Sequence, residues 1–223
     1  MAKLHVIDIS EHNVRNGRID WERVKASGVH GVMVRIGWAG FDGKLTVDKS
    51  LDDSITRAHA AGLGVGLYVY SYCTGAAAAR TAARQSAKIA NGYKGKITYP
   101  ICFDVEETAL PHLTRLGKSK LTDTVAAFCN EVEKSGYYAM WYTYTYFAKA
   151  YLDIKRLAPY DLWVADYRST VTCPWDTPHG MWQYRGDEGR CDGVTGACDR
   201  NYAYKDYPAI IRAAGLNHLT GVK

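Results

Sequence analysis

Val65-Gly66-Leu67-Tyr68-Val69-Tyr70-Ser71-Tyr72, the alanine-rich run from Ala76 to Asn91, and Tyr99-Pro100-Ile101-Cys102-Phe103-Asp104-Val105-Glu106 follow one another and decide the fold. The first and third are short runs rich in β-branched and aromatic residues, the pattern of buried strands. Between them lies a strong helix former. Strand, helix and strand in that order make a βαβ unit, and apolar strands of this kind imply a parallel sheet covered on both faces.

The same rhythm runs outward in both directions. Upstream, His5 to Ser10 and Gly31 to Gly37 read as strands, with Asp20 to Ser27 and Leu51 to Ala61 as helices. Downstream, Leu121 to Ser135 reads as an amphipathic helix with Thr122 as its cap. After Tyr138 the links shorten: Met140 to Thr143, Asp161 to Tyr167 and Gly180 to Arg185 read as strands, broken up by Pro159, Pro174 and Pro178. A strand near Ala197 to Asn201 and a helix from Pro208 to Ala214 close the chain. The fold class is therefore α/β: a modified TIM-like β/α barrel with about eight strands and reduced helices in the second half fits better than an open doubly wound sheet. No glycine-rich phosphate loop follows the first strand, so no dinucleotide cofactor is expected. No internal linker is visible; residues 1–215 read as one domain and 216–223 as a tail or linker stub.

A chain of 223 residues buries one sizeable core. Its 47% hydrophobic and 23% charged residues exclude a disordered chain. The net charge of +5 is spread along the sequence rather than gathered, which argues against nucleic acid as a partner. No apolar run approaches the ~20 residues of a membrane span, and Met1-Ala2-Lys3 leads straight into a strand, so synthesis in the cytoplasm without a signal peptide is expected. The six cysteines form no Cys-x-x-Cys pair, which disfavours zinc-ribbon and thioredoxin readings. Cys102 and Cys129 read as buried thiols. Cys191 and Cys198 bracket a glycine-rich turn and read as free thiols, with a disulfide as the less favoured alternative.

Asp104 and Glu106 stand two apart at the end of an apolar strand. Side chains at i and i+2 leave a strand on one face roughly 7 Å apart, so both carboxyls enter one space. Alone, such a pair reads as a solvated strand end. In a barrel, however, the C-terminal ends of the strands line a single mouth. Asp8 lies near the end of the first strand and Asp199 near the end of the last, and these strands are neighbours when the barrel closes. Four converging acids raise at least one pKa and leave a proton to donate. Aromatic residues gather at the same strand ends, among them Tyr68, Tyr70, Tyr142, Trp163, Tyr167 and Trp182. Seventeen tyrosines and six tryptophans against four phenylalanines favour rings with a polar tip, suited to a wet groove for sugars. Acid pair and aromatic groove together point to glycoside cleavage.

Two rival readings use the same residues. A metal-dependent hydrolase would draw on His5, Asp8, Glu11 and His12, but His5 and Asp8 are three apart and leave a strand on opposite faces; no metal is expected. A non-catalytic carbohydrate-binding barrel would have no need of both Asp104 and Glu106.

In order and spacing the chain resembles the glycoside hydrolase family 25 lysozymes, known as phage endolysins and bacterial autolysins. The resemblance rests on Ile7-Asp8-Ile9-Ser10-Glu11-His12-Asn13, Ile19-Asp20-Trp21, Val34-Arg35-Ile36-Gly37, Gly66-Leu67-Tyr68, Asp104-Val105-Glu106, Leu162-Trp163-Val164-Ala165 with Tyr167, Met181-Trp182-Gln183-Tyr184 and Asp199-Arg200-Asn201. It implies a modified β/α barrel that cuts the β-1,4 bond between N-acetylmuramic acid and N-acetylglucosamine in peptidoglycan, acting on the wall after release. Glu106 would be the general acid, and Asp104 would steady the substrate's 2-acetamido group in a retaining, substrate-assisted route. Whether Asp104 instead activates water stays open. Asp8 and Asp199 would complete the acidic floor, and Gln183 joins the aromatic residues as a sugar contact. Asp166 and Cys198 depart from the family pattern, the first adding a fifth acid near the groove.

Overall fold

The computed structural model describes residues 3–15, 17–107, 111–172 and 178–219. Its strands are β1 (Leu4–Ile9), β2 (Gly31–Ala39), β3 (Leu45–Val47), β4 (Gly64–Ser71), β5 (Ile97–Asp104), β6 (Ala139–Tyr144), β7 (Asp161–Ala165), β8 (Met181–Arg185) and β9 (Asp199–Ala203). Its helices are α1 (Glu11–Val14), α2 (Trp21–Ala26), α3 (Leu51–Ala60), α4 (Ala76–Asn91), α5 (Lys118–Lys134), α6 (Thr145–Tyr151), α7 (Ile154–Leu157) and α8 (Tyr207–Ala213). The strands pair in the order β1-β9-β8-β7-β6-β5-β4-β2, and β1 pairs with β2 to close an eight-stranded barrel. β3 lies outside it, an antiparallel flap on β2.

One strand breaks the expected parallel sheet. β9 runs antiparallel to both β1 and β8. The connection from Arg185 to Asp199 is rich in glycine and forms no helix, so the chain turns back instead of making the crossover that a parallel strand needs. Asp199 is therefore the first residue of its strand, not near its end. Because the strand is reversed, that first residue still stands at the mouth, directly opposite Asp8 in the ladder.

Alternation along the strands sorts the core into two clusters. Ile7, Ile9, Val32, Val34, Val65, Leu67, Ile101, Phe103, Leu162 and Val164 pack outward against the helices. Phe103 stacks on Phe128 of α5 with ring centroids 4.3 Å apart, and α4 buries Ala79, Ala82, Ala83, Ala87 and Ala90, small residues that let it lie close to its neighbours. Val6, Met33, Tyr99, Cys102, Met140, Trp163, Met181 and Ala203 form the second cluster, with Tyr207, Ile211 and Leu219. Tyr99 finds room because Gly31, Gly64 and Gly66 face it. A Cβ on Gly64 would stand 2.3 Å from its ring.

Several boundaries differ from the sequence expectation, three of them with consequences for the packing or the mouth. α5 begins at Lys118 after Gly117, whose φ of 77° suits glycine. Thr122 is thus a turn inside the helix; its hydroxyl donates to the Lys118 carbonyl at 2.7 Å and accepts from the Asp153 amide at 2.9 Å. β5 spans Ile97–Asp104, so Glu106 lies beyond it. Residues 216–219, set apart above as the start of a tail, belong to the barrel floor: Asn217 Nδ2 donates to the Ile97 and Tyr99 carbonyls at 3.2 and 2.9 Å, and Leu219 is buried. Cys173, Pro174 and residues 220–223 lie outside the described residues. Among the described residues no helix is long and apolar enough to cross a membrane.

Candidate active site

β5 carries Asp104 as its last residue, and the pairing with β6 continues one step further through the Val105 amide, which donates to the Tyr142 carbonyl at 3.0 Å. Alternation therefore persists past the strand end. Asp104 and Glu106 both line a cleft of about 130 Å³ with Asp8, Asp199, Arg35, Tyr68, Tyr70, Tyr142, Trp163 and Gln183. All four acids expected from the sequence meet there, with five of the seven expected sugar contacts.

The other two stand apart from it. Tyr167 is 54% exposed at the rim, and its hydroxyl donates to Gln183 Oε1 at 2.8 Å. Trp182 neighbours Gln183 in sequence and so faces the opposite side of β8. Its indole N–H donates to the Asp166 carbonyl at 2.7 Å, and its ring packs on those of Tyr184 and Tyr202 outside the cleft.

A neutral amide lattice holds the acids. Gln183 Oε1 accepts from the hydroxyls of Tyr142 at 2.9 Å and Tyr167 at 2.8 Å, which turns Nε2 towards Asp8 Oδ2 at 3.1 Å and Asp199 Oδ2 at 3.4 Å. Asn201 Oδ1 accepts from the Trp163 indole at 2.8 Å, and Asn201 Nδ2 donates to Asp8 Oδ2 at 2.8 Å. Asn201 escaped the sequence reading as a site residue. Its parity with Asp199 on one strand was the signal that could have found it.

The electrostatics follow from burial and crowding. Burial pushes Glu106 up to about 7, helped by the charge of Asp8. Burial, then repulsion from Asp8 and Asp187, raises Asp199 to about 8. Asp8 is raised by burial to about 6 and restrained by its bonds from Asn201 and Gln183. Asp104 is held well above the usual carboxylate range by burial, then by Glu106 and Asp8, while Arg35 pulls the other way. Its Oδ1 is buried without a hydrogen-bond partner among the described residues. Arg35, also missed as a site residue, is fixed by Nε donating to Asp48 Oδ2 at 2.9 Å.

The cleft opens on two sides. One adjoining hollow of about 310 Å³ includes Asp8, Ser10, His12, Asn13, Asp187, Thr195 and Asp199 in its wall. The other, also about 310 Å³, is lined by Glu106, Tyr142, Tyr144, Thr145, Ala165, Asp166 and Tyr167. An extended ligand thus fits across the mouth with the acids beneath its middle. Asp166, the extra acid, is tied down rather than poised. Burial would raise it, but Arg168 and the amide and hydroxyl of Thr172 outweigh burial and hold it at about 2. His5 stacks on His30 and meets the Tyr202 ring edge to face, away from the cleft that Asp8 lines. Among the described residues no three His, Cys, Asp or Glu side chains are grouped to hold a metal ion.

The sequence profile of glycosyl hydrolases family 25 matches residues 7–194. No curated protein matches the chain. Among solved structures, the modular autolysin LytC from Streptococcus pneumoniae, in complex with a synthetic peptidoglycan ligand, is 26% identical with a TM-score of 0.76, over 91% of this chain and 47% of that one. The chain thus spans about half of LytC. The CTP1L endolysin is likewise 26% identical with a TM-score of 0.76, over 94% of this chain and 70% of the endolysin. A bacterial lysozyme from Streptomyces coelicolor shares the fold at 20% identity and a TM-score of 0.70, over 99% of this chain and 100% of its own.

Proposed function

The chain belongs to glycosyl hydrolase family 25, and from that premise we propose that it is a peptidoglycan muramidase, cutting the β-1,4 bond between N-acetylmuramic acid and N-acetylglucosamine. The observation that carries this reading is Glu106, a partly buried carboxyl held at about 7 beside three further acids in a cleft with a hollow on either side. A carboxyl that keeps its proton near neutrality is the group needed to protonate a departing glycosidic oxygen. The peptidoglycan ligand on LytC supports a wall glycan as the substrate.

The residues divide the work as follows. Glu106 gives its proton to the leaving oxygen as the glycosidic bond breaks. The substrate's acetamido oxygen attacks the anomeric carbon, and its N–H is received by the carboxyl of Asp104, which lines the cleft. Water then opens the cyclic intermediate, returning its proton to Glu106, so configuration is retained. Asp8 keeps the field around Glu106 negative and Asp199, still protonated near neutrality, completes the floor beside it, while Tyr68, Tyr70, Tyr142 and Trp163 bind sugar faces and hydroxyls. The product would be a lysed wall, the role of a phage endolysin or an autolysin.

The test is mass spectrometry of fragments released from purified peptidoglycan by the wild type and by Glu106→Gln. Fragments with N-acetylmuramic acid at the new reducing end, absent with the variant, are expected. Ends in N-acetylglucosamine would overturn the bond assignment. Wall that is bound but left intact would make the barrel a carbohydrate-binding module.

A further inference from the structure

Phe41, Tyr72 and His112 come from three separate loops, beyond β2, β4 and β5, yet their rings meet on the rim of the mouth. Ring centroids lie 5.4 Å apart for Phe41 and His112, 5.2 Å for Tyr72 and His112, and 6.4 Å for Phe41 and Tyr72. Phe41 is 56% exposed, an unusual place for a large apolar ring. It is also firmly held, since its carbonyl accepts from the Thr74 amide and hydroxyl at 3.3 and 3.0 Å. The cluster runs on into the cleft, because the Tyr72 ring is 5.2 Å from that of Tyr70, which lines it. Both ring nitrogens of His112 are buried, without a hydrogen-bond partner among the described residues.

Beside these rings stands positive charge. Lys120 lies against Gly75, next to Thr74, with its Cε 3.5 Å from where a Cβ would be. Arg115, Lys118 and Lys120 are all exposed. Lys118 and Lys120 occupy the first turn of α5, which holds no acid. The helix dipole disfavours cations there, so helix stability does not account for them.

We propose that Phe41, Tyr72 and His112, flanked by Lys120, form an outlying subsite for the glycan strand beyond the cleaved bond. It rests on the muramidase reading. A sugar presents an apolar C–H face to Phe41 and Tyr72, which the His112 ring backs. Carboxylates of the stem peptide borne by N-acetylmuramic acid point towards Lys120. The occupant is thus a peptide-bearing glycan, held by both its sugars and its charge.

The experiment compares KM on long peptide-bearing strands, on the same strands stripped of peptide, and on the shortest oligosaccharide that is cleaved. Phe41→Ala should raise KM about three- to tenfold on both long substrates, the range set by one aromatic contact, and raise it less on the short one. Phe41→Trp should restore the wild-type value. Lys120→Glu should raise KM on peptide-bearing strands only, and more so at low salt. Equal effects of Phe41→Ala on long and short substrates, or of Lys120→Glu with and without peptide, would overturn the subsite while leaving the muramidase intact. A wild type that releases no fragments would instead overturn the muramidase reading on which the subsite rests.

Discussion

Gln183 donates to Asp8 at 3.1 Å only because its carbonyl oxygen is already claimed by two tyrosine hydroxyls. The orientation of a neutral amide between acids is thereby set by Tyr142 and Tyr167. Replacing Gln183 with Met keeps the volume and deletes every one of these bonds. We expect Gln183→Met to lower kcat/KM by at least tenfold and stability by about 1–3 kcal/mol, the cost of buried polar groups left unpaired. Denaturant titration and turnover on purified wall check both. An unchanged turnover would remove Gln183 from the working site.

Glu106 must carry a proton to act as an acid. With its carboxyl at about 7, kcat/KM should fall roughly tenfold per pH unit above that point. Removing the Asp8 charge takes away one cause of the elevation, so Asp8→Asn should move the alkaline limb to lower pH. Burial is the larger cause and stays, which keeps the move to about one unit or less. A pH–rate profile of the two proteins decides this, and a limb that moves upward would contradict it.

The acids also weaken the fold at high pH. Asp199, raised by burial to about 8 against 3.8, holds its proton longer in the folded chain than in the unfolded one. Its contribution to stability is complete below about pH 4 and is lost as pH rises through about 8. Asp199→Asn removes that loss. The variant should be the more stable protein at pH 9, by on the order of 2 kcal/mol or about 4–8 °C in Tm, and the advantage should vanish near pH 4. Thermal melts across that range test the sign.

Tyr99 occupies space that three glycines leave free. Gly64→Ala would set a methyl 2.3 Å from its ring, which forces Tyr99 or the backbone to move. A destabilisation of about 1–3 kcal/mol is expected. Pairing the change with Tyr99→Leu should recover part of it, and a strictly additive double variant would show that the clash is not the cause.

Much of this was legible in the residues. The alanine run gave α4 its observed bounds because helix propensity and period agreed there. Asp104 and Glu106 could be placed together because i and i+2 share a face. The direction of β9 was not legible, since an alternating strand reads the same in either sense and only its glycine-rich approach hints at a reversal. Trp182 and Gln183 show a different limit: neighbours in a strand cannot both face inward, and composition alone does not say which one does. Thr122 looked like a cap because threonine often is one. Its actual partners lie a turn away and on the loop before α7.

β1 begins, and Leu219 lies, on the floor of the barrel, opposite the acids. Anything coupled at Leu4 or Leu219 therefore starts from the underside. A surface tether, a reporter or a second binding module fused there would not have to cross the groove, and the barrel could be immobilised with its working face turned outward.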